Sequence, residues 1–201
     1  ASVPDPAPSP LPGPQWTDLP EKGNSQARAL AARWREEELS ARAVVEAVLQ
    51  LFRGGGFVYT LRPGAMSGDI IDQFLFATRQ GYCEHYSSAM TFLLRAAGVP
   101  ARVVVGYQGG EENPVGGYLI VRQSDAHAWV EAWVDGRWQR VDPTSVVAPQ
   151  RLVTGVESFV PQEQGVLPPE GLRIMRRVGR IFQLGWDAAN NSWNQWVLGF
   201  S

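Results

Sequence analysis

The chain has 201 residues, of which 44% are hydrophobic and 19% charged, so it is globular and long enough to bury a single core. Its formal net charge of −2 at pH 7 gives no electrostatic footprint for nucleic acid, which we exclude as a partner. No stretch reaches the roughly eighteen consecutive apolar residues of a transmembrane helix.

The first fifty residues predict an arm followed by two helices. Prolines alternate with other residues up to Pro14, a pattern typical of an extended linker, so residues 1–22 are predicted to lie outside the core. Apolar residues at helical spacing predict one helix over residues 25–38 and another over 41–52, which brace the rest of the domain. Three residues are available as helix caps: Asn24 or Ser25, and Ser40.

The next thirty residues carry weaker signals. Gly54-Gly55-Gly56 ends the second helix, because three consecutive glycines favour a break. The run Phe57-Val58-Tyr59-Thr60 predicts a short strand, and residues 69–77 predict a short helix.

Cys83 is the only cysteine in the chain, and it stands where an apolar-periodic helix begins. The periodicity ends at Gly98-Val99-Pro100. A single thiol cannot form an intrachain disulfide or a cysteine zinc site, which leaves packing or nucleophilic chemistry. The first turn of a helix favours a thiolate because its backbone N–H groups are unpaired and partly positive. The alternative is a small buried hydrophobic residue.

Residues 127–134 and 137–142 predict two strands of a hairpin around Asp135-Gly136. Further strands are predicted over 101–108 and 117–123. With Val134 opposite Arg137, the hairpin pairs an aromatic with an aromatic and an acid with a base. Those pairs are Trp133 with Trp138 and Glu131 with Arg140. The same register places His127 opposite Thr144, with Asp142 as its diagonal neighbour on one face, within reach of a hydrogen bond.

The sequence therefore brings together Cys83, His127 and Asp142. They are the three parts of acyl-transfer catalysis: a thiolate nucleophile, a base that also protonates the leaving group, and a carboxylate that orients the base. The competing interpretations are a structural histidine on the sheet and an aspartate that forms a turn before Pro143. A bulge in the hairpin would spoil this geometry, and Asp125 would then be the substitute carboxylate.

Four motifs in this order resemble the transglutaminase-like core of the papain-type superfamily. They are Gly81-Tyr82-Cys83, residues 94–107, His127-Ala128-Trp129-Val130-Glu131 and Val141-Asp142-Pro143-Thr144. The sequence segments 106–110 and 124–129 resemble those of bacterial membrane-bound transglutaminases of the TgpA type. The resemblance covers roughly residues 57–145 and implies an α+β fold, in which the nucleophile helix packs on an antiparallel sheet. We take residues 23–147 as the catalytic domain.

The resemblance implies a protein-glutamine acyl transferase in which Cys83 attacks a glutamine carboxamide and an amine resolves the thioester. A cysteine protease or deamidase of the same fold is the alternative, because water competes with the amine. A catalytically idle recognition module is the alternative from another class. The resemblance also implies the periplasmic part of a bacterial inner-membrane protein in the cell envelope, attached through flanking segments absent from this sequence. We expect a monomer.

Two aromatic residues are further candidates for the site. Animal transglutaminases stabilise the oxyanion with an upstream tryptophan, and none lies between Arg35 and Cys83. Tyr59 is the candidate second oxyanion donor beside the backbone N–H of Cys83, with a packed strand aromatic as its alternative. Trp129 shares a face with His127, where it either walls the acyl-donor cleft or covers the sheet.

No metal or cofactor is implied, because the sequence contains no CxxC, HExxH, GxGxxG or Walker motif. Glu111 and Glu112 lack the spaced oxygen ligands of a calcium site and are predicted at a solvated hairpin tip. His85, two residues after Cys83 on the helix, points away from it and is predicted to be solvated or to cap the helix.

The last part of the chain, residues 148–201, changes in character. Residues 148–171 are rich in Pro, Gln, Gly and Glu and predict a surface excursion. An amphipathic helix with a basic face follows, and it suits a membrane surface or packing on the core. The tail from Trp193 to Phe200 is aromatic, as at a membrane interface.

Overall fold

The computed structural model of the chain describes residues 11–114 and 116–150. Within them the helices are α1 (Ser25–Glu36), α2 (Ala41–Gly54), α3 (Ile70–Asp72), α4 (Cys83–Ala96) and α5 (Thr144–Val147). The strands are β1 (Val58–Tyr59), β2 (Gln80–Gly81), β3 (Ala101–Tyr107), β4 (Glu111–Asn113), β5 (Tyr118–Ile120), β6 (Ala126–Val134) and β7 (Arg137–Val141). The order gives an α+β fold, as the sequence predicts.

Helix α4 forms the centre of the core, with α1 on one side and strands β3 and β6 on the other. Its buried stripe follows the predicted helical period, because Tyr86, Met90 and Leu93 are all fully buried. The helix ends at Ala96, just before the predicted stop at Gly98. Gly98 has a φ of 86°, the left-handed conformation that glycine favours. Burial of this stripe fixes which side of α4 faces the sheet.

Aromatic rings surround the first turn of α4. The ring of Tyr86 meets Phe52 and Phe74 edge-on, with ring centroids 5.3 and 5.0 Å apart. It lies parallel to the ring of Tyr59 at 6.3 Å. Because each edge-to-face pair adds about 0.5–1.5 kcal/mol beyond its buried area, this cluster holds the Cys83 end of the helix in place.

Strands β3, β6 and β7 form an antiparallel sheet in the order β3-β6-β7. The predicted hairpin register is confirmed, because Trp133 pairs with Trp138 and Glu131 with Arg140. The turn residues Asp135 and Gly136 have φ of 53° and 75°, and a type I′ turn needs positive φ at both positions.

Helices α1 and α3 are joined through exchanged caps. The carboxylate of Asp72 accepts hydrogen bonds from the N–H groups of Gln26 and Ala27 at the start of α1, at 2.9 and 2.8 Å. In return, Oδ1 of Asn24 accepts from the N–H groups of Ile71 and Asp72. Asn24 is therefore the N-cap residue of α1, but its side chain caps α3. The predicted cap of α2 is confirmed, since Ser40 accepts from the N–H of Ala43.

The described end of the proline-rich arm lies against the sheet. The indole of Trp16 meets that of Trp138 edge-on at 5.6 Å, and the Arg102 guanidinium lies 5.1 Å from the Trp16 ring centroid. The carbonyl of Asp18 accepts a hydrogen bond from Arg95 at 3.0 Å. Residues 1–10 and the C-terminal helix predicted within 151–201 lie outside the described residues.

The structure differs from the sequence predictions at five places. The carboxylate of Glu131 forms its ion pair with Arg102, at 2.6 Å, and not with Arg140, its neighbour in the hairpin register. Glu111 and Glu112 belong to β4, not to a hairpin tip, and Glu111 forms a 2.7 Å ion pair with Arg122. The helix predicted over 69–77 is the short α3 continued by a π-helix, Gln73–Thr78. The strand predicted over 117–123 is β5 alone. The predicted pairing of His127 with Thr144 does not form, because β7 ends at Val141.

No helix in the described part of the chain is long and apolar enough to cross a membrane.

Candidate active site

Cys83 is the first residue of α4, directly after the short strand β2. A Cβ at Gly81 would lie 2.7 Å from the Cβ of His85, so only glycine allows the strand to enter the helix at this angle. His85 accepts a hydrogen bond at Nδ1 from the N–H of Tyr82, at 3.4 Å. The predicted capping role of His85 is confirmed.

His127 and Asp142 lie next to each other, as the register predicts. His127 Nε2 is 2.7 Å from Asp142 Oδ2. The other carboxylate oxygen accepts a hydrogen bond from the N–H of Thr144 at 3.0 Å, which is an Asx turn across Pro143. Arg140 Nη2 lies 3.5 Å from Asp142 Oδ2. Both carboxylate oxygens are therefore held, and the bond to the imidazole has a fixed direction.

His127 is buried, and its side chain is 0% exposed. Burial lowers the pKa of His127, but the hydrogen bond to Asp142 and the contact with Cys83 outweigh it and raise the pKa to about 9. Burial raises the pKa of Asp142, and the hydrogen bond and charge of His127 outweigh it, so that pKa is lowered. At neutral pH the pair is therefore an imidazolium and a carboxylate.

Cys83 contributes to the raised pKa of His127, so the thiol and the ring interact. The second ring nitrogen, Nδ1, is buried and has no hydrogen-bond partner of standard geometry among the described residues. Together these observations indicate that Cys83 lies close to the ring but outside the geometry of a standard hydrogen bond, as is common in active sites without substrate.

Cys83 and His127 both line an open cleft of about 470 Å³. This is the size of a small-molecule or side-chain site. Its walls are formed by the end of β1 and the residues after it, the start of α4, strand β3, and the start of β6 with the residues before it. The lining residues are Tyr59, Leu61, Tyr82, Cys83, Glu84, Ser88, Val103, Val105, Gly106, Gln123, Ser124, Ala126, His127 and Ala128.

The structure places the two predicted aromatic candidates differently. Tyr59 is buried and lines the cleft. Trp129 is not among the lining residues: its indole stacks on the His127 ring at 6.3 Å and lies across Gly106, where a Cβ would be 2.9 Å from the ring. The Arg140 guanidinium covers Trp129, 4.2 Å from its ring centroid. Trp129 thus packs on the ring that Asp142 holds.

Sequence reasoning missed several residues that shape the site. Ser87 Oγ donates a hydrogen bond to the carbonyl of Ala128 at 2.9 Å, and both groups are buried, so the nucleophile helix is tied to the histidine strand one residue after His127. Val103 and Val105 line the cleft from β3, although the alternating pattern of that strand gave no reason to place them there. The Asp142-Pro143-Thr144 turn was readable as an Asx turn.

Among the described residues, no group of three or more His, Cys, Asp or Glu side chains is arranged to hold a metal ion. Glu84 lines the same cleft as Cys83 and contacts the side chain of Tyr82.

The site combines a cysteine at a helix start with a histidine and an aspartate from an antiparallel sheet. This arrangement is typical of papain-like folds, and the family comparison identifies which family of that class the chain belongs to. Residues 28–143 match the model of the transglutaminase-like superfamily. The chain belongs to this superfamily, which confirms the resemblance and the fold class.

Individual relatives agree. The chain is 48% identical, over 187 residues, to the protein-glutamine gamma-glutamyltransferase of Pseudomonas aeruginosa PAO1, covering 90% of this chain and 28% of that protein. It is 35% identical to the uncharacterized protein YebA of Bacillus subtilis 168, covering 65% of this chain and 19% of YebA. The chain therefore spans less than a third of the length of these relatives.

Two solved structures are similar, both of the periplasmic domain of TgpA from Pseudomonas aeruginosa. One superposes with a TM-score of 0.69 and 53% identity, covering 73% of this chain and 51% of the other. The second, bound to ethylmercury, gives a TM-score of 0.66 and 55% identity over 69% and 50% of the two chains.

Proposed function

We propose that this chain is the catalytic domain of a protein-glutamine acyl transferase that works through Cys83, His127 and Asp142. The observation that carries the proposal is the 2.7 Å contact between His127 Nε2 and Asp142 Oδ2, beside a cleft that Cys83 lines. Membership of the transglutaminase-like superfamily, and the likeness to a protein-glutamine gamma-glutamyltransferase, support glutamine as the acyl donor.

In the first step the Cys83 thiolate attacks the carbonyl carbon of the glutamine side-chain amide and forms a C–S bond. The tetrahedral intermediate then breaks its C–N bond. The His127 imidazolium gives its proton to the leaving nitrogen, and ammonia departs. A pKa of about 9 suits this role, because the imidazolium holds its proton at neutral pH until a stronger base, the departing amine, forms.

In the second step a primary amine such as a lysine side chain attacks the thioester, and the now neutral His127 accepts its proton. The C–S bond breaks, the thiolate returns, and an isopeptide bond remains. The backbone N–H of Cys83 and the hydroxyl of Tyr59 are the donors that we assign to the oxyanion of both intermediates. Neither step requires a cofactor.

We place the domain in the periplasm, as part of a membrane protein of the cell envelope. The likeness to two structures of a periplasmic domain supports this location. Its partners are then exported or envelope proteins that offer a glutamine and an amine, and its membrane attachment comes from segments that flank this sequence. We propose that the domain acts as a monomer.

The test is to incubate the purified domain with a glutamine-containing peptide and a fluorescent primary amine, and to analyse the products by mass spectrometry. The proposal predicts a peptide–amine conjugate and one ammonia per conjugate. Cys83→Ala should abolish the reaction. Ser67→Ala, a change of similar size at an exposed residue outside the cleft, is the matched control and should retain it.

Each competing function has its own product. Glutamate at the substrate position without conjugate indicates a deamidase, and cleaved peptide indicates a protease. Binding of peptide without a Cys83-dependent product indicates a recognition module. Any of these in place of conjugate would overturn the transferase assignment.

A further inference from the structure

Strand β3 is an edge strand whose outer side has no partner strand among the described residues. The register shows which backbone groups face outward. The carbonyl of Pro100 accepts a hydrogen bond from the N–H of Trp133, and the N–H of Gln108 donates to the carbonyl of Asp125. Pro100 and Gln108 therefore each belong to a hydrogen-bonded pair of the ladder. Because such pairs alternate in an antiparallel ladder, the even-numbered residues of β3 point their N–H and C=O groups toward β6.

The odd-numbered residues therefore point their N–H and C=O groups outward. Ala101 confirms this direction, because its carbonyl accepts a hydrogen bond from Arg95 Nε at 2.8 Å instead of from β6. Arg95 closes that end of the edge with a charged side chain, as natural edge strands often do. The open part of the edge comprises the backbone groups of Val103, Val105 and Tyr107.

The same three residues carry exposed apolar side chains. Val103 is 38% exposed, Val105 75% and Tyr107 57%. Val103 and Val105 also line the cleft that contains Cys83. Only residues 97–100 separate α4 from β3, so the strand folds back along the helix and its open end returns to the cysteine. An unpaired edge and an apolar wall thus border the candidate nucleophile.

We propose that this edge of β3 binds the acyl-donor protein as an added strand, holding an extended segment by main-chain hydrogen bonds while the cleft receives its glutamine side chain. This inference rests on the proposed function. The open part of the edge, residues 103–107, spans about 13 Å, enough to pair with about five substrate residues. The substrate is then a glutamine in an extended or unfolded segment, not one on a stable helix.

Continuity with the cleft favours a substrate segment over a second copy of the chain. A second copy paired along this edge would cover Val103 and Val105 and block the approach to Cys83. Main-chain hydrogen bonds also suit a site that accepts many proteins, because every extended segment offers the same backbone groups.

The first test replaces Val105 with proline, which removes one outward N–H and is tolerated on an edge strand. Val105→Thr is the matched control, because it keeps the N–H and the side-chain shape. We measure kcat/KM for a ten-residue glutamine peptide and for a small N-acyl glutamine amide. Val105→Pro should lower the ratio of long to short substrate about tenfold, the effect of losing a hydrogen bond and its neighbours. Val105→Thr should leave the ratio within about twofold.

The second test uses the unaltered enzyme, so it does not depend on the folding of a variant. Each backbone amide of the ten-residue peptide is N-methylated in turn. The proposal predicts losses in kcat/KM that alternate with a period of two residues, because only every second substrate N–H faces β3. Losses without alternation, or no losses, would overturn the proposal.

The third test asks whether the edge is already occupied. In the free domain, the amides of Val103, Val105 and Tyr107 should exchange rapidly with deuterium and become protected when the peptide is added to the Cys83→Ala variant. Protection in the free domain, or a dimer in sedimentation that Val105→Pro dissociates, would show another occupant and overturn the proposal. If the unaltered enzyme converts neither the peptide nor the small glutamine amide, the proposed function itself is refuted.

Discussion

Replacing Asp142 with asparagine tests the electrostatic account of the site in one step. The change keeps the size of the side chain and removes its charge. In the native domain the pKa of His127 is raised from 6.5 to about 9, which corresponds to roughly 3 kcal/mol of net stabilisation of the imidazolium. Without the carboxylate, the pKa of His127 falls, because burial is then opposed only by the interaction with Cys83. The ring therefore carries less of the proton that the departing ammonia needs, and less positive charge to balance the Cys83 thiolate.

The expected loss follows from these quantities. A tenfold change in rate corresponds to about 1.4 kcal/mol, so loss of the imidazolium alone lowers turnover by about 10². If the asparagine also holds the His127 ring in the wrong tautomer, the loss in turnover extends toward about 10⁴-fold. The assay is amine incorporation at saturating peptide. Asp125→Asn is the matched control, since Asp125 accepts a hydrogen bond from the N–H of Arg122 and makes none to His127. Full activity in Asp142→Asn, with a large loss in Asp125→Asn, would refute the reasoning.

The same variant changes the pH dependence of stability. Because the folded-state pKa of His127 is raised, its stabilising contribution is complete below pH 6.5 and is lost as the pH rises through about 9. The free energy of unfolding in urea should therefore fall between pH 6 and pH 9.5 in the native domain, and should fall less in Asp142→Asn. An equal fall in both would show that another group titrates.

Four further predictions follow from particular contacts. Cys83 should react with iodoacetamide faster than free cysteine at pH 6 to 7, and His127→Ala should slow it sharply; alkylation only after denaturant would contradict nucleophilic chemistry. Turnover should survive EDTA, since no group of residues in the described part of the chain is arranged to hold a metal ion, and calcium-dependent recovery would contradict this. Tyr86→Phe should leave the free energy of unfolding in urea unchanged or raise it by up to about 1 kcal/mol, because it removes a buried hydroxyl that has no hydrogen-bond partner among the described residues; a clear loss of stability would reveal a partner. Asp72→Ala should cost about 1–3 kcal/mol in the same assay, with exposed Asp69→Ala as control, and similar costs would contradict the cap.

The sequence sufficed to predict the parts of the site that follow from periodicity and pairing. The period of α4 placed Cys83 at a helix start. The hairpin register placed Asp142 diagonal to His127, because pairing an aromatic with an aromatic and an acid with a base fits only one register. Local rules determine these features, so no long-range information was needed.

The parts that were missed depend on contacts between distant segments. Strand β2, which pairs in parallel with β1, is only two residues long and leaves too short a pattern to read. Glu111 and Glu112 were misplaced because a polar three-residue strand has no apolar alternation, and its pairing with β5 determines it. The exchange of caps between Asn24 and Asp72 joins residues 48 positions apart.

The walls of the cleft were beyond sequence reasoning for the same reason. Val103 and Val105 read as ordinary strand residues, and only the position of β3 at the sheet edge exposes them beside Cys83. Trp129 read equally as cleft wall or sheet cover, because the space over Gly106 that receives its indole is a property of the packed sheet.

The most direct measurement of the central claim is the mass of the enzyme during turnover. The domain is mixed with glutamine peptide in the absence of amine, quenched rapidly in acid, and analysed intact and after digestion. The account predicts an adduct equal to the peptide minus ammonia, located on Cys83, present in Ser67→Ala and absent in Cys83→Ala. Ammonia released from the peptide at full rate by Cys83→Ala, or turnover without any adduct on Cys83 at the earliest quench times, would contradict it.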